Sequence, residues 1–209
     1  MKKYDLNKIF VEGNSDKLFL DFLLKSFFKI DDKDLVVDVK GKDKLIDQPL
    51  LIDARRKDER AKNLIIFDTD STRINGGRTN RLKELNDIQQ NLETKFEIYL
   101  LPFNDENEGI LENLLDSCIN SNFNFFDPCW NGMIDCIKMS NKENLNIPAQ
   151  KAFIYSKIDL FKNQRSIKWD YKGATTYNYA DNEIWEIDPN KNKEIKKLLD
   201  FINDNLFND

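Results

Sequence analysis

The chain has 209 residues, 40% hydrophobic and 33% charged, with a formal net charge of −5 and no histidine. Without imidazole, Ser-His-Asp and Cys-His nucleophile schemes, HNH-type nucleases and His-ligated metals are excluded. The surplus of acid confines nucleic-acid binding to a local basic patch or a metal-neutralised site.

In chain order, "KIFVE" (8–12) is an apolar run ending at Glu12-Gly13, and it predicts a first strand followed by a tight turn. Asn14 or Ser15 then caps a helix whose Leu18, Phe22, Leu23 and Phe27 recur at helical spacing. "LVVDV" (35–39) predicts a second strand, ending at "KGKDK". "DQPLLIDARRKDERA" (47–61) suits a helix with Pro49 in its first turn. "LIIF" (64–67) is a third, buried strand that runs into Asp68 and Asp70. "RTNRLKELNDIQQNLETK" reads as a helix, "FEIYLL" (96–101) as a fourth strand, and "NEGILENLLDSCI" as another helix. Strands alternating with helices in this way predict an α/β fold, with a mainly parallel sheet of about four strands flanked by helices.

The expected organisation is an α/β core over 1–120 and a mostly helical extension over 121–209, packed on the core. In the extension, "DPCWNGMIDCIKM", "PAQKAFIYSKIDLFKNQ" and the amphipathic "NKEIKKLLDFINDNLF" read as helical, and "YKGATTYNYADNEIWEIDP" as irregular. Trp130, Trp169 and Trp185 read as packing anchors. Cys118, Cys129 and Cys136 form no CxxC pair, which suits reduced, mostly buried thiols rather than a zinc site. No apolar run approaches the ~20 residues that span a bilayer, and no secretory h-region follows the basic start; a cytoplasmic protein with no membrane partner is expected.

Ligands of parallel sheets lie at the carboxyl ends of the strands, where Glu12, Asp68 and Asp70 are all expected. Two like charges one residue apart at such an edge call for a cation. Mg²⁺, or Mn²⁺, takes one or two carboxylates together with water and phosphate oxygens. The competing reading of Asp68 and Asp70 is a pair of solvated loop acids. Beyond the aspartates, Arg73, Arg78, Arg81 and Lys83 occupy an acid-free stretch, and Lys40, Lys42 and Lys44 follow the second strand. Together they form a candidate phosphate-binding rim. Glu108 and Glu112, four apart, share a predicted helix face. Asp105 and Glu106 read as solvated, and so does Asp16, although it follows the Glu12-Gly13 turn, which could bring it near the same edge.

"IFVEGNSDKLFL" followed by "LIIFDTDS" resembles the Toprim domain, the metal-binding, Rossmann-like fold of topoisomerases, bacterial primases and OLD-family nucleases. That family has a glutamate after its first strand and a DxD after its third, matching Glu12, Asp68 and Asp70 here. The similarity covers roughly residues 5–120. "VVDVKGKDKL", the Gly-Gly-Arg loop and "LPFNDENEGILENLL" are similar to a small bacterial Toprim-like group close to the OLD nucleases, in which Glu112 would supply a further acid. The resemblance implies Mg²⁺ binding by Glu12, Asp68, Asp70 and Glu112. It also implies Mg²⁺-dependent phosphodiester hydrolysis on DNA or RNA, in nucleic-acid processing or phage defence, with an ATPase partner as in some OLD-type systems. One departure is the "STRIN" stretch between the DxD and Gly76-Gly77, which lengthens a loop that is short in many Toprim proteins. Two alternatives stand beside the nuclease. One is a non-catalytic Toprim-type module that binds nucleic acid or protein. The other is a haloacid-dehalogenase-like phosphatase, in which "DTDST" would make Asp68 the nucleophile and Asp70 the general acid.

Overall fold

In a computed structural model of the chain, residues 7–52, 61–160, 167–169 and 175–207 are described. Four strands, β1 (Lys8–Val11), β2 (Val36–Asp38), β3 (Asn63–Asp68) and β4 (Glu97–Leu101), form one sheet in the order β2-β1-β3-β4, and every pairing is parallel. Parallel strands are covered on both faces and therefore read as continuous apolar runs. Leu64, Ile65, Ile66 and Phe67 of β3 accordingly show at most 1% exposure. The predicted α/β class and the four-stranded parallel sheet are what the chain forms.

Helix α1 (Asn14–Leu23) buries Phe19, Leu20 and Leu23. Its expected side-chain cap is absent: Gly13 holds the N-cap position, and Asp16 reaches back to accept from the Gly13 N–H at 2.9 Å. Helix α2 (Pro49–Ile52) begins at the proline, as expected for a residue that needs no helical N–H partner; the rest of the helix predicted through 61 falls largely on 53–60, outside the described residues. Helix α3 (Arg78–Leu92) buries only Arg81 and Leu85. Helix α4 (Leu111–Asp116) is shorter than predicted, so Glu108 lies before it and does not share a helical face with Glu112.

The chain divides into two compact units, one of residues 1–114 with 188–209, the other of residues 115–187. This differs from a single break near 120, because helix α7 (Lys193–Ile202) belongs with the sheet. It buries Ile195, Leu198, Leu199 and Ile202, an i, i+3, i+4, i+7 stripe. The Asn192 side chain caps it by accepting from the N–H groups of Glu194 and Ile195. The Phe201 ring packs at a tilt against Tyr99 of β4, with the ring centres 5.2 Å apart.

The second unit holds α5 (Phe126–Met139), α6 (Gln150–Asp159) and an antiparallel pair, β5 (Ile167–Trp169) and β6 (Thr175–Tyr177). The pair falls within and beside the segment expected to be irregular. Lys157 is buried and held by Asp116 at 3.1 Å and Asp127 at 2.7 Å, with its Nζ 4.9 Å from the Phe153 ring centre. The entry and exit of this unit are joined: the Asn120 N–H donates to the Ile184 carbonyl, and the Glu186 N–H to the Cys118 carbonyl, each at 2.7 Å. Trp185 is the buried anchor expected, Trp130 is half-buried against Phe153, and the Trp169 side chain lies outside the described set. Cys118 is buried, but Cys129 and Cys136 are exposed on α5, contrary to the expectation of mostly buried thiols. Among the described residues, no helix is long and apolar enough to cross a membrane.

Candidate acidic site at the sheet edge

Strand order positions the site. β1 and β3 are central neighbours in parallel register, with Val11 opposite Ile66. Glu12, the residue after β1, is thereby carried to the end of β3, where its Oε1 accepts from the Asp68 N–H at 3.1 Å. Asp68 Oδ1 in turn accepts from the N–H of Leu111, the first residue of α4, at 2.9 Å. This contact satisfies one of the amide donors that a helix start leaves open. It also fixes Asp68 beside the element that carries Glu112.

Asp70 sits in the left-handed region, φ 58°, which aspartate tolerates better than most residues. Its N–H donates to the Gly109 carbonyl at 2.8 Å, and its carboxylate receives the Arg81 guanidinium at 2.5 Å. Gly76 explains the lengthened loop. Thr72–Ile74 form one 3-10 turn, and the Gly76 N–H returns to the Ser71 carbonyl at 2.9 Å. A Cβ on Gly76 would stand 2.6 Å from the Asp70 Cβ and 2.8 Å from the Ser71 carbonyl oxygen. "STRIN" thus loops out while the glycine pair closes against the aspartate. Gly77, at φ 89°, opens α3 in a conformation that side-chain-bearing residues rarely adopt. Gly76→Ala is expected to push Asp70 aside and to destabilise the sheet unit by about 1–3 kcal/mol, measurable as faster amide exchange in β3.

The electrostatics show how crowded these acids are. Burial first, and then the charges of Asp16, Glu12, Glu112 and Asp70, hold the Asp68 carboxyl well above the usual carboxylate range. Burial likewise pushes Glu12 up to about 7; Arg81 opposes that rise, while Asp70 and Asp16 add to it. Because the folded protein keeps the Glu12 proton where an unfolded chain has lost it, stability falls as pH climbs from about 4.5 to about 7. In buffer containing EDTA, Glu12→Gln is expected to flatten that slope in denaturation midpoints measured across the window. An unchanged slope would mean that Glu12 is not the titrating group.

The structure therefore brings Glu12, Asp68, Asp70 and Glu112 to one edge and adds Asp16, whose place after the Glu12-Gly13 turn put it within reach of the site but which the sequence alone favours as solvated. Asp16 is 8% exposed and its charge is the largest acting on Asp68. The signal was present in the sequence: an acid at the third position of a helix opening directly after Glu12-Gly13. Glu108 is solvent-facing instead; hydrogen bonds from Thr72, ahead of the Arg73 charge, lower its carboxyl.

The basic residues divide. Arg81 is 1% exposed, and its three guanidinium nitrogens serve the Asp68 carbonyl (3.1 Å), Asp70 and Glu84 (both 2.5 Å). It is an internal counter-charge rather than the open phosphate clamp expected. Arg78 is tied to the loop before α4, by Asn104 at 3.4 Å, the Asp105 carbonyl at 3.5 Å and Glu106 at 3.5 Å. Arg73 and Lys44 are exposed. Lys42 lies 3.8 Å from Glu84 and lines a cavity against α3.

All the candidate donors are hard carboxylate oxygens, the chemistry Mg²⁺ or Mn²⁺ selects. Yet among the described residues no group of three or more acidic, cysteine or histidine side chains is disposed to hold a metal ion. Glu12 and Asp68 are turned to backbone amides, and Asp70 to Arg81. No curated protein and no solved structure matches the chain. A family model described as a protein of unknown function (DUF3226) matches residues 6–202, which takes in the acidic strand ends, the inserted second unit and α7 alike. By that match the chain belongs to the DUF3226 family.

Proposed function

We propose that this protein is a Toprim-like, divalent-cation-dependent phosphodiesterase acting on nucleic acid, with Glu12, Asp68, Asp70 and Glu112 as its acidic centre. The observation that carries the reading is the convergence of Glu12 and Asp68 across neighbouring parallel strands, in a cluster whose only buried counter-charge among the described residues is Arg81. Two central carboxyls raised by burial, with Asp16 and Asp70 adding to both, describe a site short of positive charge. Mg²⁺ or Mn²⁺ held there by Asp68 and Asp70, with Glu112 supporting, would neutralise phosphate charge and acidify an attacking water. Glu12, poised near neutral pH, is suited to take the proton of that water. Asp68 keeps the helix start of α4 against the site. Arg81 orients Asp70 and offsets part of the acid charge. Arg73, exposed beside the glycine pair, and Arg78 at the base of α3 supply positive charge for the flanking phosphates.

The test incubates end-labelled single- and double-stranded DNA and RNA with the protein and Mg²⁺ or Mn²⁺. Cleavage that EDTA abolishes is expected. Intact strands under every metal condition would remove the hydrolytic reading. One observation favours a second reading, a non-catalytic binding module: Glu12, Asp68 and Asp70 already have protein donors. Cation-dependent retention of nucleic acid without cleavage would select it.

A further inference from the structure

Beside the acidic centre lies a cavity of about 340 Å³ between α3 and the turn after β2. Its apolar side is built by Ile46, Phe67, Leu85 and Ile88, and its edge by Lys42, Asp43 and Asp87. Phe67 immediately precedes Asp68. Arg81 also lines the cavity while its guanidinium holds Asp70, so an occupant sits one arginine away from the acids. The volume is at the small end of the ~300–1,000 Å³ typical of small-ligand sites.

The lining chemistry narrows the occupant. A phosphate would meet Asp43, Asp87 and Glu84, against Lys42 and an Arg81 already bonded to Asp70 and Glu84. An acyl chain would leave that charged edge without partners. A flat ring that is apolar on its faces and rich in N–H donors on its edge suits both parts. Aliphatic side chains pack against a base face, and carboxylates accept from exocyclic amino groups such as cytosine N4.

We propose that this cavity receives one unpaired, amino-bearing nucleobase of a single-stranded substrate, placing the adjoining phosphodiester at the acidic centre. The inference rests on the phosphodiesterase reading and adds strand type and base preference to it. A base can enter only where it is free of its complement, so single strands are favoured over duplex.

The experiment measures fluorescence anisotropy of the full chain with labelled oligodeoxycytidylate, oligothymidylate and an abasic strand of equal length, in Ca²⁺. Cleavage of the same strands in Mn²⁺ is read separately on gels. Oligodeoxycytidylate is expected to bind about tenfold tighter than the abasic strand, the scale of one base packed on a side-chain platform, and tighter than oligothymidylate. Ile46→Asp, at a position already 37% exposed, should remove the advantage over the abasic strand. Asp43→Asn combined with Asp87→Asn should remove the preference for cytosine over thymine. Circular dichroism verifies that both variants fold. Equal binding of all three strands, or preferences that survive both variants, overturns the base pocket while leaving the phosphodiesterase reading to its own cleavage assay. Absence of binding to every strand likewise overturns the base pocket, and the cleavage assay on DNA and RNA decides the phosphodiesterase reading separately.

Discussion

Glu12→Gln is expected to lower metal-dependent cleavage by roughly 10²–10⁴-fold, the range set by loss of a positioned general base. The amide can still accept from the Asp68 N–H through its oxygen, so the local hydrogen bonding that holds β1 to the end of β3 survives. What disappears is the ability to take a proton and to carry negative charge. In the native protein, activity should rise with pH as the Glu12 carboxyl, which burial holds above the usual range, loses its proton. The glutamine variant should lose that limb of the pH profile as well as rate. Asp70→Asn is a necessary companion, since it tests a second member of the centre on the other side of Arg81. Cleavage at the native rate in both variants would place the chemistry elsewhere on the molecule. A rate loss with an unchanged pH profile would make Glu12 a ligand rather than a base.

Arg81→Met is expected to destabilise the sheet unit by about 3 kcal/mol, at the low end for breaking a buried pair, because Asp70 retains 23% exposure. The substitution keeps the length of the aliphatic stem but strips Asp70 of its partner inside a cluster that also holds Asp16, Glu12, Asp68 and Glu112. Adding Asp70→Asn to Arg81→Met should recover part of the loss, because the uncompensated charge is then gone; a double-mutant cycle isolates that coupling. The choice of signal matters. Trp130, Trp169 and Trp185 all fall within residues 115–187, so tryptophan fluorescence follows the second unit. Amide exchange in β3 follows the first. Protection in β3 that is unchanged by Arg81→Met would show that the ion pair contributes nothing to the sheet unit.

Much of this site was legible because parallel strands announce themselves. A run such as "LIIFDTDS" carries its burial in its apolar residues and its strand end in the acids that close it. The placement of Glu12 beside Asp68 requires β1 and β3 to be neighbours, which the alternation of elements leaves open and the order β2-β1-β3-β4 supplies. Four features were not legible. Asp16 looks like any acid in a first helical turn until the turn folds it inward. Arg81 belongs to a basic stretch in sequence, and only the geometry of α3 shows it turned to Asp70 and Glu84 instead of to solvent. The extent of α4 was overread because the apolar pattern of "NEGILENLL" begins before the backbone becomes helical, at Leu111. The β5–β6 pair escaped because Ile167–Trp169 and Thr175–Tyr177 are each only three residues long, too short for alternation to show.

That α7 completes the sheet unit has a consequence for biosynthesis. At ~5–20 residues per second, the ribosome releases β4 several seconds before α7 exists. Throughout that interval the surface destined for Ile195, Leu198 and Ile202 lacks its cover, and Tyr99 waits for Phe201. The inserted residues 115–187 emerge in that interval, tied at their two ends by the Asn120–Ile184 and Glu186–Cys118 hydrogen bonds. The nascent chain therefore passes through an interval with its central sheet uncovered, and chaperone engagement should concentrate on the N-terminal segment.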